Sequence, residues 1–193
     1  METIKPTKKF NPNAIIGVLA FSAFLAVFNE TILNVALSPL MTEMNVTAAT
    51  VQWIITAYMI VVSVMVPITA FLIQTFETKH LFLGAMTLLL FGTICAACSG
   101  SFEMLLVSRM LQACGTGMMI PLLMNTVLIV TPPEKHGAAM GICGCVISIG
   151  PALGPTVSGI LLQFFSWHAL FIMLIPLILI AMILGSIYLV NVS

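Results

Sequence analysis

Six long apolar runs, separated by short polar segments, constrain this chain more than any other feature of its sequence. Runs of about 18 or more mostly apolar residues are long enough to cross a bilayer as helices. The predicted spans one to six cover residues 14–37, 51–73, 81–97, 104–130, 138–162 and 170–190. The sequence therefore predicts an all-α membrane protein, in which residues 1–193 form a single bundle of six transmembrane helices in the lipid bilayer.

The composition excludes a soluble domain. Of the 193 residues, 61% are hydrophobic and only 6% are charged, whereas soluble domains have about 25% charged residues. The formal net charge is zero, so no basic surface indicates a nucleic-acid partner. All five cysteines lie in apolar runs, and an odd number in lipid argues against a disulfide framework. No metal site and no cofactor are predicted.

The first span has the charged start of a signal peptide but not its other features. Its apolar run is too long for a signal-peptide core and lacks a small-residue cleavage site, so we expect it to be kept as a helix. Ser38-Pro39 is predicted to end this span. Residues 41–49 are polar enough to form a loop on the outer side.

The basic residues predict the orientation of the bundle. With the N-terminus in the cytoplasm, the outside loops hold no Lys or Arg, and every lysine falls on the inside. These lysines are Lys5, Lys8, Lys9, Lys79 and Lys135. Such a bias is the positive-inside pattern of membrane proteins. We therefore expect a multi-pass protein of the cell membrane with both ends of this chain in the cytoplasm.

Two ionisable residues, Glu30 and Arg109, lie inside predicted spans. A charge at the bilayer centre costs roughly 3 kcal/mol or more, so such residues are functional candidates by default. With a rise of about 1.5 Å per residue, Glu30 lies about 10 Å and Arg109 about 8 Å from the outer end of its span. The similar depths predict an ion pair. In the functional interpretation Glu30 binds a proton, and in the structural interpretation the pair is static and only fixes helix packing.

Polar neighbours of these charges are candidates for a substrate-binding surface. Asn34 follows Glu30 by four residues and Gln112 follows Arg109 by three, which on a helix places each pair on one face. Tyr58 and Trp53, near the start of span two, are weaker candidates. Ordinary hydrogen bonds between helices explain Asn34 and Gln112 about equally well.

Span five contains a regular series of small residues. The series consists of Gly141, Gly150, Gly154, Pro155, Ser158 and Gly159. Small residues let helix backbones approach closely, and a proline removes a backbone donor and bends the helix. The series predicts a closely packed, kinked helix that suits motion between two states.

The series in span five resembles the antiporter motif of drug:proton antiporters of the major facilitator superfamily, with Ser158 where that family prefers Gly. Residues 29–37 resemble the span-one signature D-x-T-I-V-N-V-A-L. Asn29 replaces the Asp of that signature, and a carboxylate follows at Glu30. The similarity is closest to the fourteen-helix multidrug branch, of the lincomycin-resistance type.

Further matches to this family follow in the same order along the chain. Arg109, Gln112 and Gly115 resemble the span-four motif R-x-x-Q-G-x-G, with Ala113 replacing its first Gly. In contrast, the loop after span two departs from the family signature, because Gln74 stands where the family has an acidic gate residue. This departure puts the usual charged latch of the inner face in doubt.

The resemblance implies the N-terminal half of a major facilitator fold, built as a 3+3 inverted repeat. Such transporters have two six-helix halves with the binding site between them, whereas this chain resembles only the first. The implied function is proton-coupled efflux of amphiphilic drugs, with Glu30 and Arg109 coupling the protons. The alternative is a truncated half without autonomous transport, which is inactive or assembles with a second six-helix half or as a homodimer.

An enzyme is the third class of function, and the sequence disfavours it. The chain contains no Asp, and its three His lie in loops or at span ends, away from any serine deep in a span. No phosphate-binding loop of the G-x4-G-K-S/T type is present, which argues against an ATPase.

Overall fold

The computed structural model describes residues 12–189, which contain one 3-10 helix at Pro133–Lys135 and no strand. Six long α-helices and two short ones make up the rest of the regular structure in this range. In chain order they are α1 (Pro12–Ile32), α2 (Leu37–Glu43), α3 (Ala48–Val51), α4 (Trp53–Leu72), α5 (Thr78–Ala97), α6 (Phe102–Val130), α7 (His136–Phe164) and α8 (His168–Tyr188). Six helices are long and apolar enough to cross a membrane, which confirms the all-α membrane fold. Lys5, Lys8, Lys9 and the predicted end of span six at Val190 lie outside the described residues.

The first span ends earlier than the sequence predicts. Helix α1 stops at Ile32, and residues 33–36 form a turn before α2 begins at Leu37. The expected break at Ser38-Pro39 is wrong, because Pro39 lies in the first turn of α2. Proline is tolerated there, since the first backbone N–H groups of a helix have no partner inside the helix. The loop predicted over residues 41–49 also contains the end of α2 and the start of α3.

Helix α6 lies at the centre of the bundle because small residues let two neighbours approach it. A Cβ added to Gly115 would collide with backbone atoms of Ala85 in α5. A Cβ added to Gly117 would lie 2.6 Å from the Cβ of Met65 in α4. Two glycines two positions apart point to different sides of a helix, so α5 and α4 both pack closely against α6.

The other long helices complete a three-on-three arrangement. Helix α1 packs against α7, and α5 packs against α8 as well as α6. Each of the first three long helices therefore packs against one of the last three, in agreement with a 3+3 repeat. The pairs are α1 with α7, α4 with α6, and α5 with α8. Helices α4 and α7 are the least buried of the six, so they present the largest apolar surfaces.

Side-chain contacts tie the helix ends together at both ends of the bundle. At one end, here called the Trp167 end, Nε1 of Trp167 donates to Oε2 of Glu43 at 2.9 Å. At the same end the Nε2 atom of His168 lies 3.0 Å from the carbonyl oxygen of Ser99. At the opposite end, here called the Lys135 end, Nζ of Lys79 donates to the carbonyl of Ser186 at 2.7 Å.

Candidate functional site

Arg109 is the centre of a buried polar cluster. Its side chain is 1% exposed, and its Nη1 atom donates to the carbonyl oxygen of Asn29 at 3.2 Å and to Oε1 of Gln112 at 2.9 Å. The guanidinium carbon lies 4.0 Å from the ring centroid of Tyr58, which is a favourable cation–π distance. The cluster therefore joins α1, α4 and α6 around one cation.

Neutral hydrogen bonds extend the cluster to α5. Gln112 donates through Nε2 to Oγ1 of Thr93 at 2.9 Å, and the Tyr58 hydroxyl donates to Oγ1 of Thr116 at 2.7 Å. Arg109, Gln112 and Thr116 are three and seven residues apart, so the periodicity of α6 places them on one face. The close approach of α5 depends on Gly92, where an added Cβ would lie 2.8 Å from Gln112.

The ion pair predicted between Glu30 and Arg109 is wrong. In residues 12–189 one contact within 4.0 Å joins a carboxylate to a basic side chain, and it lies between Glu77 and the imidazole of His80. The guanidinium instead meets α1 at the backbone carbonyl of Asn29, one residue before Glu30. Glu30 is half-buried beside the cluster, near enough to Arg109 for an electrostatic interaction without contact.

Asn29 is the functional candidate that the sequence interpretation missed. Its side chain is fully buried, and neither of its polar atoms makes a hydrogen bond of ordinary geometry, although it lies close to the Tyr58 hydroxyl. The Nε atom of Arg109 is likewise without a partner. The signal for Asn29 was present in the sequence, because it occupies the Asp position of the span-one signature.

Two further candidates lie outside the cluster. Asn34 was expected on the same helical face as Glu30, but α1 ends at Ile32 and Asn34 lies exposed in the turn that follows. That expectation is wrong because the helical repeat does not continue to Asn34. Trp53 is 55% exposed at the first residue of α4 and is separate from the buried cluster.

The small-residue series of α7 divides into two groups. Gly150, Gly154 and Ser158 are buried, and an added Cβ at Gly154 would collide with Thr31 of α1. Gly141 and Gly159 have nothing within 4 Å of an added Cβ, and Pro155 is exposed. Only the buried group, spaced by four residues, forms the contact with α1.

An apolar cavity of about 490 Å³ lies between α1 and α7, toward the Lys135 end. It is lined mainly by aliphatic and aromatic side chains, among them Ile16, Phe21, Phe24, Ile142, Cys143 and Val146. Cavities of roughly 300–1,000 Å³ with such linings are typical of small-molecule sites. Within residues 12–189 no group of three or more His, Cys, Asp or Glu side chains is placed to hold a metal ion.

Several curated proteins similar to this chain have names that refer to drug resistance. The lincomycin resistance protein LmrB of Bacillus subtilis is 43% identical over 191 residues, which is 99% of this chain and 40% of that protein. The putative multidrug resistance protein MdtD of Yersinia pseudotuberculosis is 33% identical over 83% of this chain and 35% of its own length. The chain thus spans about two fifths of the length of these relatives.

Solved structures and a family model agree with the fold. A peptide transporter POT in complex with sulfate superposes with a TM-score of 0.79 at 21% identity, covering 89% of this chain and 37% of that one. A bacterial homolog of the human lysosomal transporter Spinster superposes with a TM-score of 0.71 at 15% identity, covering 94% of this chain and 43% of that one. Residues 19–192 match the model of the Major Facilitator Superfamily. The chain therefore belongs to the major facilitator superfamily, of which it represents an N-terminal half.

Proposed function

We propose that this chain is the N-terminal half of a proton-coupled exporter of amphiphilic drugs, with Glu30 as the proton-binding carboxylate. The observation that carries the proposal is the position of Glu30, which is the only carboxylate in residues 12–189 beside the buried Arg109 cluster. Ionisable groups inside membrane spans commonly mark proton pathways. The names of the relatives, which refer to lincomycin and multidrug resistance, support the drug class.

Proton binding at Glu30 changes the charge next to a fixed cation. While Glu30 is ionised, it attracts the guanidinium of Arg109 across the α1–α6 contact. Protonation removes that attraction, because a neutral carboxyl has no net charge to pair. The last turn of α1 is then free to shift against α6, and this shift is the step that we assign to coupling.

The apolar cavity between α1 and α7 is our candidate for the drug site. Its volume of about 490 Å³ and its two phenylalanine rings, Phe21 and Phe24, suit the apolar part of an amphiphilic molecule. The polar residues Tyr58 and Gln112 are buried in contacts with Thr116, Thr93 and Arg109. We therefore assign them to the coupling cluster rather than to the drug.

Substitution of Glu30 tests the proposal directly. In energised membrane vesicles, Glu30→Gln is expected to abolish drug transport driven by a pH gradient, because the amide cannot bind and release a proton. Glu103→Gln is the matched control, since Glu103 is an exposed carboxylate in the first turn of α6, and transport should persist. Undiminished pH-driven transport by Glu30→Gln, with normal insertion, would overturn the assignment.

A half that needs a partner is the second candidate, and the coverage of about two fifths of each relative favours it. In that case the drug leaves between this half and a second six-helix half or a second copy of the chain. Cells that express this chain alone are compared with cells that lack it. Lower drug accumulation supports autonomous export, and equal accumulation supports the partner-dependent reading.

A further inference from the structure

The last turn of α1, which carries Glu30, is held from two sides by side chains of other helices. The final carbonyl groups of a helix have no partner inside that helix. Arg109 of α6 donates to the carbonyl of Asn29, and Ser158 of α7 donates to the carbonyl of Ile32 at 2.7 Å. These two carbonyls lie on either side of Glu30 in the sequence.

The hydroxyl of Ser158 has two acceptors at the same distance. Its Oγ atom lies 2.7 Å from the carbonyl of Ile32 in α1 and 2.7 Å from the carbonyl of Gly154 in its own helix. A serine hydroxyl carries one hydrogen, so it donates to one of these carbonyls at a time. Release of α1 leaves the hydroxyl bonded to Gly154, a common arrangement for serine in helices.

The hydroxyl of Ser158 switches between these two carbonyls inside the closely packed contact of α1 with α7. Ser158 is fully buried, and in the same contact Oγ1 of Thr31 lies 3.4 Å from the carbonyl oxygen of Gly150, although the carbonyl of Phe28 in its own helix is nearer at 3.1 Å. Ser148, ten residues earlier in α7, makes the same kind of bond to its own helix, at 2.8 Å to Gly144, but is exposed and reaches no other helix. Burial against α1 therefore distinguishes Ser158 from an ordinary helical serine.

We propose that Ser158 is a positioning residue for Glu30, whose hydroxyl holds the last turn of α1 in one state and returns to Gly154 in the other. The inference rests on the proposed proton-binding function of Glu30. The ionisable groups that face Glu30 are Arg109 of α6 and Tyr58 of α4. Helix α8 carries ionisable side chains only at its two ends, and α7 has no acidic or basic side chain after His136.

Hydrogen exchange of this chain in lipid nanodiscs tests the contact itself. Ser158→Ala removes the donor, so amides of residues 33–36 and the last turn of α1 should exchange about fivefold faster, the equivalent of one ordinary hydrogen bond. Ser148→Ala is the matched control and should leave these amides unchanged. Equal exchange in Ser158→Ala and the unchanged chain would overturn the proposal.

Infrared titration tests the link to Glu30. The carboxyl band of Glu30 is identified by its loss in Glu30→Gln, and its pH midpoint should move by up to about one unit in Ser158→Ala. Ser158→Cys replaces the hydroxyl oxygen by a larger sulfur that is only a weak donor, so it should behave like Ser158→Ala, whereas Ser158→Thr keeps the hydroxyl and should restore the midpoint.

The outcomes distinguish failure of the positioning role of Ser158 from failure of the proton-binding function of Glu30. An unmoved midpoint despite faster exchange contradicts positioning and leaves Ser158 a packing residue. If no band that titrates is lost in Glu30→Gln, the proton-binding function of Glu30 fails, and the contact is then judged by exchange alone.

Discussion

A single step along α1 separates the backbone carbonyl that meets Arg109 from the side chain of Glu30. Asn29 is fully buried and its backbone carbonyl accepts from Arg109, whereas Glu30 is half-buried and its carboxylate lies beyond ion-pair distance. Within residues 12–189 the hydrogen-bond and ring contacts of Arg109 are with neutral groups, namely a backbone carbonyl, the amide of Gln112 and the ring of Tyr58. This buried cation has no charged partner in contact with it, and its Nε atom is unpaired. Its interactions therefore depend on the charge of a nearby carboxylate.

Asn29→Asp should stabilise the bundle. It places a carboxylate on the residue whose backbone carbonyl accepts from the buried guanidinium, and a charge-assisted hydrogen bond there contributes about 1.5–3 kcal/mol before the cost of desolvation. The midpoint of thermal unfolding in detergent micelles should rise. Asn125→Asp, the same change in α6 away from the cluster, should lower it, and an equal decrease in both variants would contradict the prediction.

Helical periodicity was sufficient to predict part of this site. The spacing of Arg109 and Gln112 placed them on one face, and the structure joins them directly. Depth alone could not predict the pairing of Glu30, because it gives height in the membrane and not rotation about the helix axis. Thr93 of α5 could not be found from spacing, since its contact depends on how two helices pack.

At the scale of elements, α7 packs against α1 along one line of buried residues. Its glycines therefore differ in whether another helix lies next to them. Gly154→Ala should destabilise the chain by about 1–3 kcal/mol, because the added methyl collides with Thr31. Gly141→Ala meets open space and should be neutral or slightly stabilising, since alanine favours helix over glycine. Denaturant unfolding in micelles measures the free energy of unfolding of both variants. Equal stabilities of the two variants would contradict the claim that only the buried residues of α7 contact α1.

The short helix α2 depends on a contact with a residue that is distant in the sequence but lies at the same end of the bundle. Trp167 is buried, and its indole N–H reaches the carboxylate of Glu43 at the end of α2. Trp167→Phe removes this donor, so amides of residues 37–43 should exchange faster with solvent. The exposed Trp53 provides the control, and faster exchange in Trp53→Phe as well would point to a general loss of stability.

Helix existence was easier to predict than helix ends. Apolar run length was sufficient for all six spans, since crossing a bilayer demands a fixed length. The end of α1 at Ile32 was not predictable, because the residues that follow, Leu33 to Leu37, remain mostly apolar. The proline at position 39 also signals either the end or the first turn of a helix, and sequence alone favoured the former.

At the scale of the whole molecule, we expect the Trp167 end to face the outside of the cell. Cys98 is exposed at the end of α5, next to Ser99 and close to this end. A membrane-impermeant thiol reagent should label Cys98 in intact cells, and Cys98→Ala should lose that labelling. A cysteine introduced by Lys135→Cys should react only after permeabilisation, and the reverse pattern would invert the orientation.

The family of the whole chain was predictable because its motifs recur in order along the sequence, and the relatives confirm it. The surface that would pack against a second half was not predictable from the sequence. Helices α4 and α7 have the largest apolar faces, and no property of a lipid-facing residue distinguishes it from a residue that packs against another half. Such a distinction depends on the second set of helices rather than on this chain.

Asn29 limits the energetics of the export that we propose. An amide cannot ionise in the physiological range, so Glu30 is the one carboxylate that residues 12–189 place beside the Arg109 cluster. If Glu30 carries the proton, this half moves at most one proton in each cycle. Exchange of one proton for one singly charged cationic drug transfers no net charge across the membrane, so the contribution of this half would be driven by the pH difference and not by the voltage.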